Sequence, residues 1–434
     1  MTFVIFTSAG ERKRCLEFWG ITFYNAFYFK WKIFMSIHDD DLDPNAELDS
    51  FGELIERLPF CLPDDISPKT FLQDYWQKKP LLIRNGLPAL VGMFEPADVL
   101  DLALEDGVSA RLITQKDSDP DQWTLKNSPL SEIDLQSTPN LWTVLIQNLE
   151  QWSPELGQLW QAFDFIPKWQ QDDIMVSVAP QGGSVGKHYD EYDVFLAQGH
   201  GTRRWQLGKM CTPDTPFIPN QPIRLLDDMG EIVFDEVLHA GDVLYVPPCL
   251  SHYGVAGDDC LTFSFGFRRP NVVQLLDEVA DIATCHERLF SPLQLPQALQ
   301  DNPNALTDDS INAIKNALIN TLNSPTGNEI IRTAIAELVS RRQYDLLSFE
   351  DDITGDDLRE RLGGGECLLI NPASRFVSVG SNWFVNGEKV IFDDTAQAVL
   401  ITLLDGNALT FDEIDAQMYD VLAQWVNDNW VVLY

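Results

Sequence analysis

Between about residues 174 and 269 the chain is written in short β-rich runs, I-M-V-S-V-A, D-V-F-L-A, R-R-W-Q-L, D-V-L-Y-V and L-T-F-S-F-G-F, separated by Gly and Pro. Regularly spaced strands of this length close into a barrel or a sandwich, and no other stretch restricts the fold as strongly. The flanks have a different texture. From Ser67, S-P-K-T-F-L-Q-D-Y-W predicts a capped helix that ends at Pro80, followed by a short apolar strand. Helical patterning is expected again at 96–105 and around Leu141 to Trp152.

After Pro270 the pattern is helical through V-V-Q-L-L-D-E-V-A-D-I-A, Ser310 to Leu322 and Glu329 to Tyr344. No chemistry is visible there, and each helix has an apolar face that suits core packing or dimerisation. The Gly363-Gly364-Gly365 run marks a bend. Beyond it, strand, a hairpin at Asn386-Gly387 and two helices predict a winged-helix-like module. Such modules usually bind DNA, yet residues 346–434 carry Arg359, Arg361, Arg375 and Lys389 against sixteen Asp and Glu, a balance of −12. A surface of that charge does not track phosphates, so a packing or protein-contact role without direct DNA binding is expected.

Residues 1–34 stand apart. Five basic side chains (Arg12, Lys13, Arg14, Lys30, Lys32) face only Glu11 and Glu17, and an acidic run opens after Met35. The expectation is that Met35 is the natural start and the leader a misassigned extension. The domain division read from the sequence is an atypical leader 1–34, a catalytic domain 35–270, a helical dimerisation region 271–345 and a winged-helix-like domain 346–434.

The whole chain has a formal net charge of −36, which repels nucleic acid and attracts basic polypeptides. Seven scattered cysteines form no C-x-x-C pair, and no apolar run approaches the roughly 20 residues that span a bilayer. A cytoplasmic protein with no membrane partner is expected.

The chemistry concentrates in the β-rich region. In G-K-H-Y-D-E-Y-D-V-F, His188 and Asp190 are two residues apart, so an extended strand sends both side chains to one face. His252, at the end of G-D-V-L-Y-V-P-P-C-L-S-H, offers a third ligand. Two imidazoles and one carboxylate on one face of an octahedron suit non-haem iron(II) enzymes that activate dioxygen. Zinc or manganese in a non-oxidative barrel is the chemical alternative.

A cation for a cosubstrate separates these readings. In T-R-R-W-Q-L, strand alternation puts Arg203 with the apolar Trp205 and Leu207, pointing inward. A buried guanidinium needs an anion, and the distal carboxylate of 2-oxoglutarate would satisfy it. On the last run Thr262, Ser264 and Gly266 alternate with Phe263, Phe265 and Phe267, and Ser264 is placed to reach the same carboxylate. His38, His200, His239 and His286 are read as uninvolved.

The stretch from Leu141 to Asn271, with L-W-T-V-L-I-Q-N-L-E-Q-W, H-Y-D-E-Y-D-V-F-L-A-Q-G, R-R-W-Q-L-G, G-D-V-L-Y-V-P-P and F-S-F-G-F-R-R-P-N, resembles the bacterial JmjC-type ribosomal oxygenases. The likeness extends more loosely over about residues 45 to 434. It implies a mixed α/β chain: a double-stranded β-helix of the JmjC/cupin jelly-roll type, then a helical dimerisation region and a C-terminal winged helix. It implies an Fe(II)- and 2-oxoglutarate-dependent dioxygenase of the peptidyl-arginine 3-hydroxylase type, consuming dioxygen. Its substrate would be an arginine of the basic large-subunit (50S) ribosomal protein L-sixteen, and the chain would be a homodimer. The family's iron ligands fall on His188, Asp190 and His252, its 2-oxoglutarate-binding arginine on Arg203 and its last-strand serine on Ser264. Lys187 departs from the family's G-G-G-V-G-P and is expected to bear on the substrate entrance. Rival readings are an oxygenase acting on another protein side chain or on RNA, and a non-catalytic cupin-type binding scaffold.

Overall fold

The structure is a computed structural model and describes residues 58–116, 119–138, 141–293, 304–342, 344, 346 and 352–434. The leader, the start expected at Met35 and His38 lie outside the described residues. Helix α1 (Pro68–Asp74) forms where the sequence predicts it. Ser67 accepts from the Thr70 N–H and Pro68 occupies the first turn, where its missing N–H costs nothing. Strand β1 (Leu81–Ile83) and helix α2 (Pro96–Leu102) follow.

Ten further strands build the barrel: β2 (Ala110–Lys116), β3 (Asp119–Asn127), β4 (Leu141–Ile146), β5 (Gln171–Ala179), β6 (Asp193–His200), β7 (Thr202–Met210), β8 (Phe234–His239), β9 (Val243–Val246), β10 (Leu250–Ala256) and β11 (Cys260–Phe267). They pair as a large sheet in the order β1-β9-β6-β11-β5-β4-β2-β3 and a small sheet in the order β10-β7-β8. The two sheets form the JmjC/cupin jelly roll.

One expectation needs correction. Leu141 to Trp152 is not a helix but strand β4 followed by a single 3₁₀ turn at Leu149–Gln151. The run Leu-Trp-Thr-Val-Leu-Ile is aromatic and β-branched, and it completes the ladders of both β2 and β5, which outweighs its helix-like spacing. Pro247-Pro248 ends β9 as the sequence indicates, and the chain resumes at Leu250 as β10, which carries His252.

The strand alternation read in β11 is present. Phe263, Phe265 and Phe267 are fully buried on the outer face of the large sheet, where Phe265 meets Phe163 and Trp160. Burying each ring contributes about 1.5–3 kcal/mol of transfer free energy. Thr262, Ser264 and Gly266 face the barrel interior. That interior closes at one end on Val194, Leu196, Leu207, Leu244 and Val246.

Helices α3 (Val272–Thr284), α4 (Asp308–Leu322) and α5 (Pro325–Ser340) follow the barrel. Then come α6 (Gly355–Gly363), β12 (Leu368–Ile370), β13 (Phe376–Val379), β14 (Asn382–Val385), β15 (Glu388–Val390), α7 (Asp394–Leu404), α8 (Tyr419–Asn427) and β16 (Val431–Leu433). The predicted hairpin joins β14 to β15, with φ of 51° at Asn386 and 93° at Gly387, the two positive values that a tight type I′ turn requires. This region has its own core of Leu358, Leu400, Leu422 and Trp425, while α5 packs on both α3 and β13. Among the described residues no helix is long and apolar enough to cross a membrane.

Candidate metal centre

His188 and Asp190 lie on the segment between β5 and β6. The segment is not a regular strand, but His188 forms an isolated antiparallel bridge to His252. The His188 N–H donates to the His252 carbonyl at 3.1 Å, the reverse bond is 2.8 Å, and the Cys249 N–H donates to the Asp190 carbonyl at 2.7 Å. Strand β10 therefore fixes the loop. Gly186 gives the loop its bend: its φ is +85°, and a Cβ there would come within 2.3 Å of the Leu225 side chain.

These contacts bring His188, Asp190 and His252 together, one ligand atom from each lying within 4.8 Å of the others. The Asp190 Oδ2 is 3.5 Å from the His252 Nε2 and 4.0 Å from the His188 Nε2. Each histidine donates from its Nδ1, His188 to the Gly186 carbonyl at 3.0 Å and His252 to the Leu250 carbonyl at 2.9 Å. A carbonyl only accepts, so both Nδ1 atoms carry a proton and both rings turn their Nε2 atoms to the shared space. Burial, and then the neighbouring His188 ring, hold the His252 pKa down to about 4, which keeps that imidazole neutral. Two imidazole Nε2 atoms and a carboxylate gathered at one point fit a divalent transition metal.

Arg203 points inward from β7, as strand parity predicts, and is only 2% exposed, while Arg204 on the other face pairs with Asp235 at the surface. Among the described residues no carboxylate lies within 4.0 Å of Arg203. Its polar contact is the Cys260 Sγ at 3.5 Å, and its Nε has no partner. A guanidinium so placed carries a desolvated charge that no acid among the described residues offsets at close range. Arg203, Ser264 and the triad all line one cavity of about 1070 Å³.

The other histidines are elsewhere: His200 pairs with Glu95 at 3.4 Å, and neither His239 nor His286 lines the cavity. Lys187 does not line it either. Its Nζ donates to the Asp227 carbonyl at 3.2 Å, and its own carbonyl accepts from the Leu226 N–H, so it ties down the segment whose Pro222, Ile223 and Arg224 form part of the cavity wall.

Sequence reasoning missed two groups. The helical region is not devoid of chemistry, since Gln274, Glu278, Arg341 and Arg342 reach the cavity, as does Arg375 from the C-terminal region. Asp173 was also overlooked. It has the same strand parity as Met175 and Ser177, which also line the cavity. Burial, then the Glu150 and Asp172 carboxylates, push its pKa up to about 7. Tyr192 lines the same cavity, and its hydroxyl is raised by burial and then by the Asp190 and Asp173 carboxylates. The sequence signal was the acidic pair Asp172-Asp173 at the start of a barrel strand.

A JmjC domain profile matches residues 158–275, and a ROXA-like winged-helix profile matches residues 318–431, the latter starting inside α4. The solved structure of YcfD, a ribosomal oxygenase from Escherichia coli, in complex with cobalt and 2-oxoglutarate superimposes with a TM-score of 0.71 at 27% identity, covering 85% of this chain and 98% of that one. Barrel, domain match and site geometry together define a JmjC-type 2-oxoglutarate-dependent oxygenase. Among curated relatives, a probable ribosomal oxygenase of Haemophilus influenzae is 46% identical over 404 residues, 87% of this chain and 99% of its own length. The ribosomal protein uL16 3-hydroxylase of Escherichia coli is 29% identical over 370 residues, 83% of this chain and 96% of its own. The chain belongs to the ribosomal oxygenase family.

Proposed function

We propose that this chain is an iron(II) enzyme that hydroxylates an arginine of ribosomal protein uL16. His188, Asp190 and His252 hold the metal, and Arg203 with Ser264 holds the distal carboxylate of 2-oxoglutarate. Bound iron(II) and 2-oxoglutarate supply the activation of dioxygen that C–H hydroxylation requires. The side chains of the protein orient the reactants: the Nδ1 bonds lock the imidazole rings, and the buried guanidinium would hold one end of the cosubstrate by a charge-assisted pair. The relatives support the reading, because one is named a ribosomal protein uL16 3-hydroxylase and another was solved with cobalt and 2-oxoglutarate.

The observation that carries the choice of an arginine is Asp173. Its carboxylate lines the cavity that holds the triad, and among the described residues no cation lies within 4.0 Å of it, Arg268 acting on it only from farther away. A guanidinium entering the cavity would supply the missing charge. The acidic surface, −36 overall, suits a basic ribosomal protein and speeds the encounter at low salt. The direct test is incubation with iron(II), 2-oxoglutarate and purified uL16, with a mass gain of about one oxygen atom sought on its arginines; an unmodified uL16 beside turnover on another protein would reject the substrate.

Asp173 also sets a pH dependence. With its pKa near 7 it is largely neutral at pH 6 and charged at pH 8, so the attraction for a cation grows as pH rises through that interval. The KM for uL16 is expected to fall several-fold between pH 6 and 8. In Asp173→Asn the KM should sit at or above the wild-type value for pH 6 and lose that pH dependence, with the profile of initial rates as the check.

The proposed homodimer rests on α3. Val272, Val273 and Leu276 are 72%, 75% and 59% exposed along one helix face, an apolar stripe that a partner helix would cover. The double substitution Val273→Glu with Leu276→Glu is expected to shift the sedimentation mass from two chains to one while the isolated barrel site keeps its metal. A wild-type chain that sediments as a monomer would remove the dimer from the proposal.

A further inference from the structure

The start of β5 is held in an unusual way. Phe265 pairs with Ile174 and Phe267 with Gln171, so Asp172 and Asp173 together stand opposite the single residue Gly266. This is a one-residue bulge, the device by which strands re-aim side chains beside active sites. Both carboxylates turn toward the cavity, where an added Cβ on Gly266 would lie 3.4 Å from the Asp173 Oδ1 and 3.8 Å from the Asp172 Cβ. Two adjacent acids on one side of a bulge repel each other, and the ladder to β4 begins only at Val176. Strand pairing therefore does not fix this corner.

Groups outside the sheet hold it instead. The Asp172 carbonyl accepts from the Arg342 Nη1 at 2.5 Å and from the Arg375 Nη2 at 2.9 Å. The Asp172 carboxylate pairs with Arg375 at 3.2 Å and with the Arg268 Nε. The Ile174 N–H donates to the buried Glu150, which also accepts from the Tyr344 hydroxyl at 3.1 Å. Arg342 is itself tied to the Pro372 carbonyl at 3.2 Å. Three guanidinium groups thus gather around Asp172, and among the described residues none of them comes within 4.0 Å of the Asp173 carboxylate, on which Arg268 acts from farther away. Two of them, Arg342 and Arg375, belong to the region matched by the winged-helix profile.

We propose that the winged-helix region acts as a brace for substrate recognition: Arg375 and Arg342 fix the bulge at Asp172 so that Asp173 is presented to the substrate cation. This gives the acidic C-terminal region a function in the oxygenase reaction that requires no nucleic acid. The inference rests on the role given to Asp173 under the proposed function. Arg375 and Arg342 are positioning residues, since they act through Asp172 and Asp173.

The test is a double-mutant cycle on the full-length enzyme with purified uL16. Arg375→Met is expected to raise the KM for uL16 about tenfold, about 1.4 kcal/mol, with kcat, metal content and 2-oxoglutarate affinity by calorimetry within about twofold of wild type. Asp173→Asn is expected to raise KM to a similar degree, and adding Arg375→Met to it should cost little more, because the brace then has nothing to present. Arg375→Lys, which keeps the charge without the fork, should recover part of the loss and serves if the methionine variant folds poorly. Effects of Arg375→Met and Asp173→Asn that multiply would overturn the brace, as would an Arg375→Met enzyme with unchanged KM or with 2-oxoglutarate affinity lost in parallel. An Asp173→Asn enzyme with unchanged KM would instead overturn the role of Asp173 itself.

Discussion

With His252 replaced by alanine, turnover of uL16 is expected to fall more than about 100-fold, beyond what losing an outer-sphere contact to a ligand costs. The ring sits in β10, its Nδ1 donating to the Leu250 carbonyl and its Nε2 3.5 Å from the Asp190 Oδ2. Removing it leaves two protein donors in a space shaped for three. His188→Ala should behave alike, since His188 and His252 are joined by paired backbone bonds and present their Nε2 atoms to the same point. Succinate release and the mass of uL16 read the activity, and metal per chain after dialysis against iron(II) or cobalt(II) reads the site. His200→Ala is the control: its ring pairs with Glu95 at the surface, and both readouts should stay at wild type. Stoichiometric metal and normal product in His252→Ala would remove that residue from the centre.

What the sequence made legible follows from strand parity. Period-2 alternation specified the inward face of β7, hence Arg203, and the polar face of β11, hence Ser264, because a one-residue slip would have turned Trp205 and Leu207 out to solvent and phenylalanine into the cavity. His188 was found by spacing, although the segment carrying it is extended without being a strand. Its position comes from two bonds to β10, which no local pattern records. The helix expected over Leu141 to Trp152 failed for the same reason: its strand state depends on β2 and β5, distant in sequence. The acidic pair at Asp172-Asp173 was readable, but its meeting with the arginines was not, because they come from separate regions, around Gln171, Arg268, Arg342 and Arg375, joined only by tertiary packing.

Arg203→Met is expected to have opposite effects on binding and on stability, and that pairing is what identifies the role of the residue. The guanidinium is 2% exposed with no carboxylate within 4.0 Å among the described residues, so the chain carries a desolvated charge that its own acids do not offset. When 2-oxoglutarate is absent, a methionine of similar length removes that desolvation cost, and the apo protein should melt at the same or a higher temperature. With 2-oxoglutarate present the sign reverses. Losing one partner of a buried charge pair costs about 2–5 kcal/mol, a weakening of about 30-fold or more in the dissociation constant. Calorimetric titration of the metal-loaded variant reads that change directly, with metal content unchanged because Arg203 is not among the triad. A structural ion pair would give the other pattern, a lower melting temperature with cosubstrate affinity intact, and that result would return the guanidinium to a packing role and leave 2-oxoglutarate without its anchor on β7.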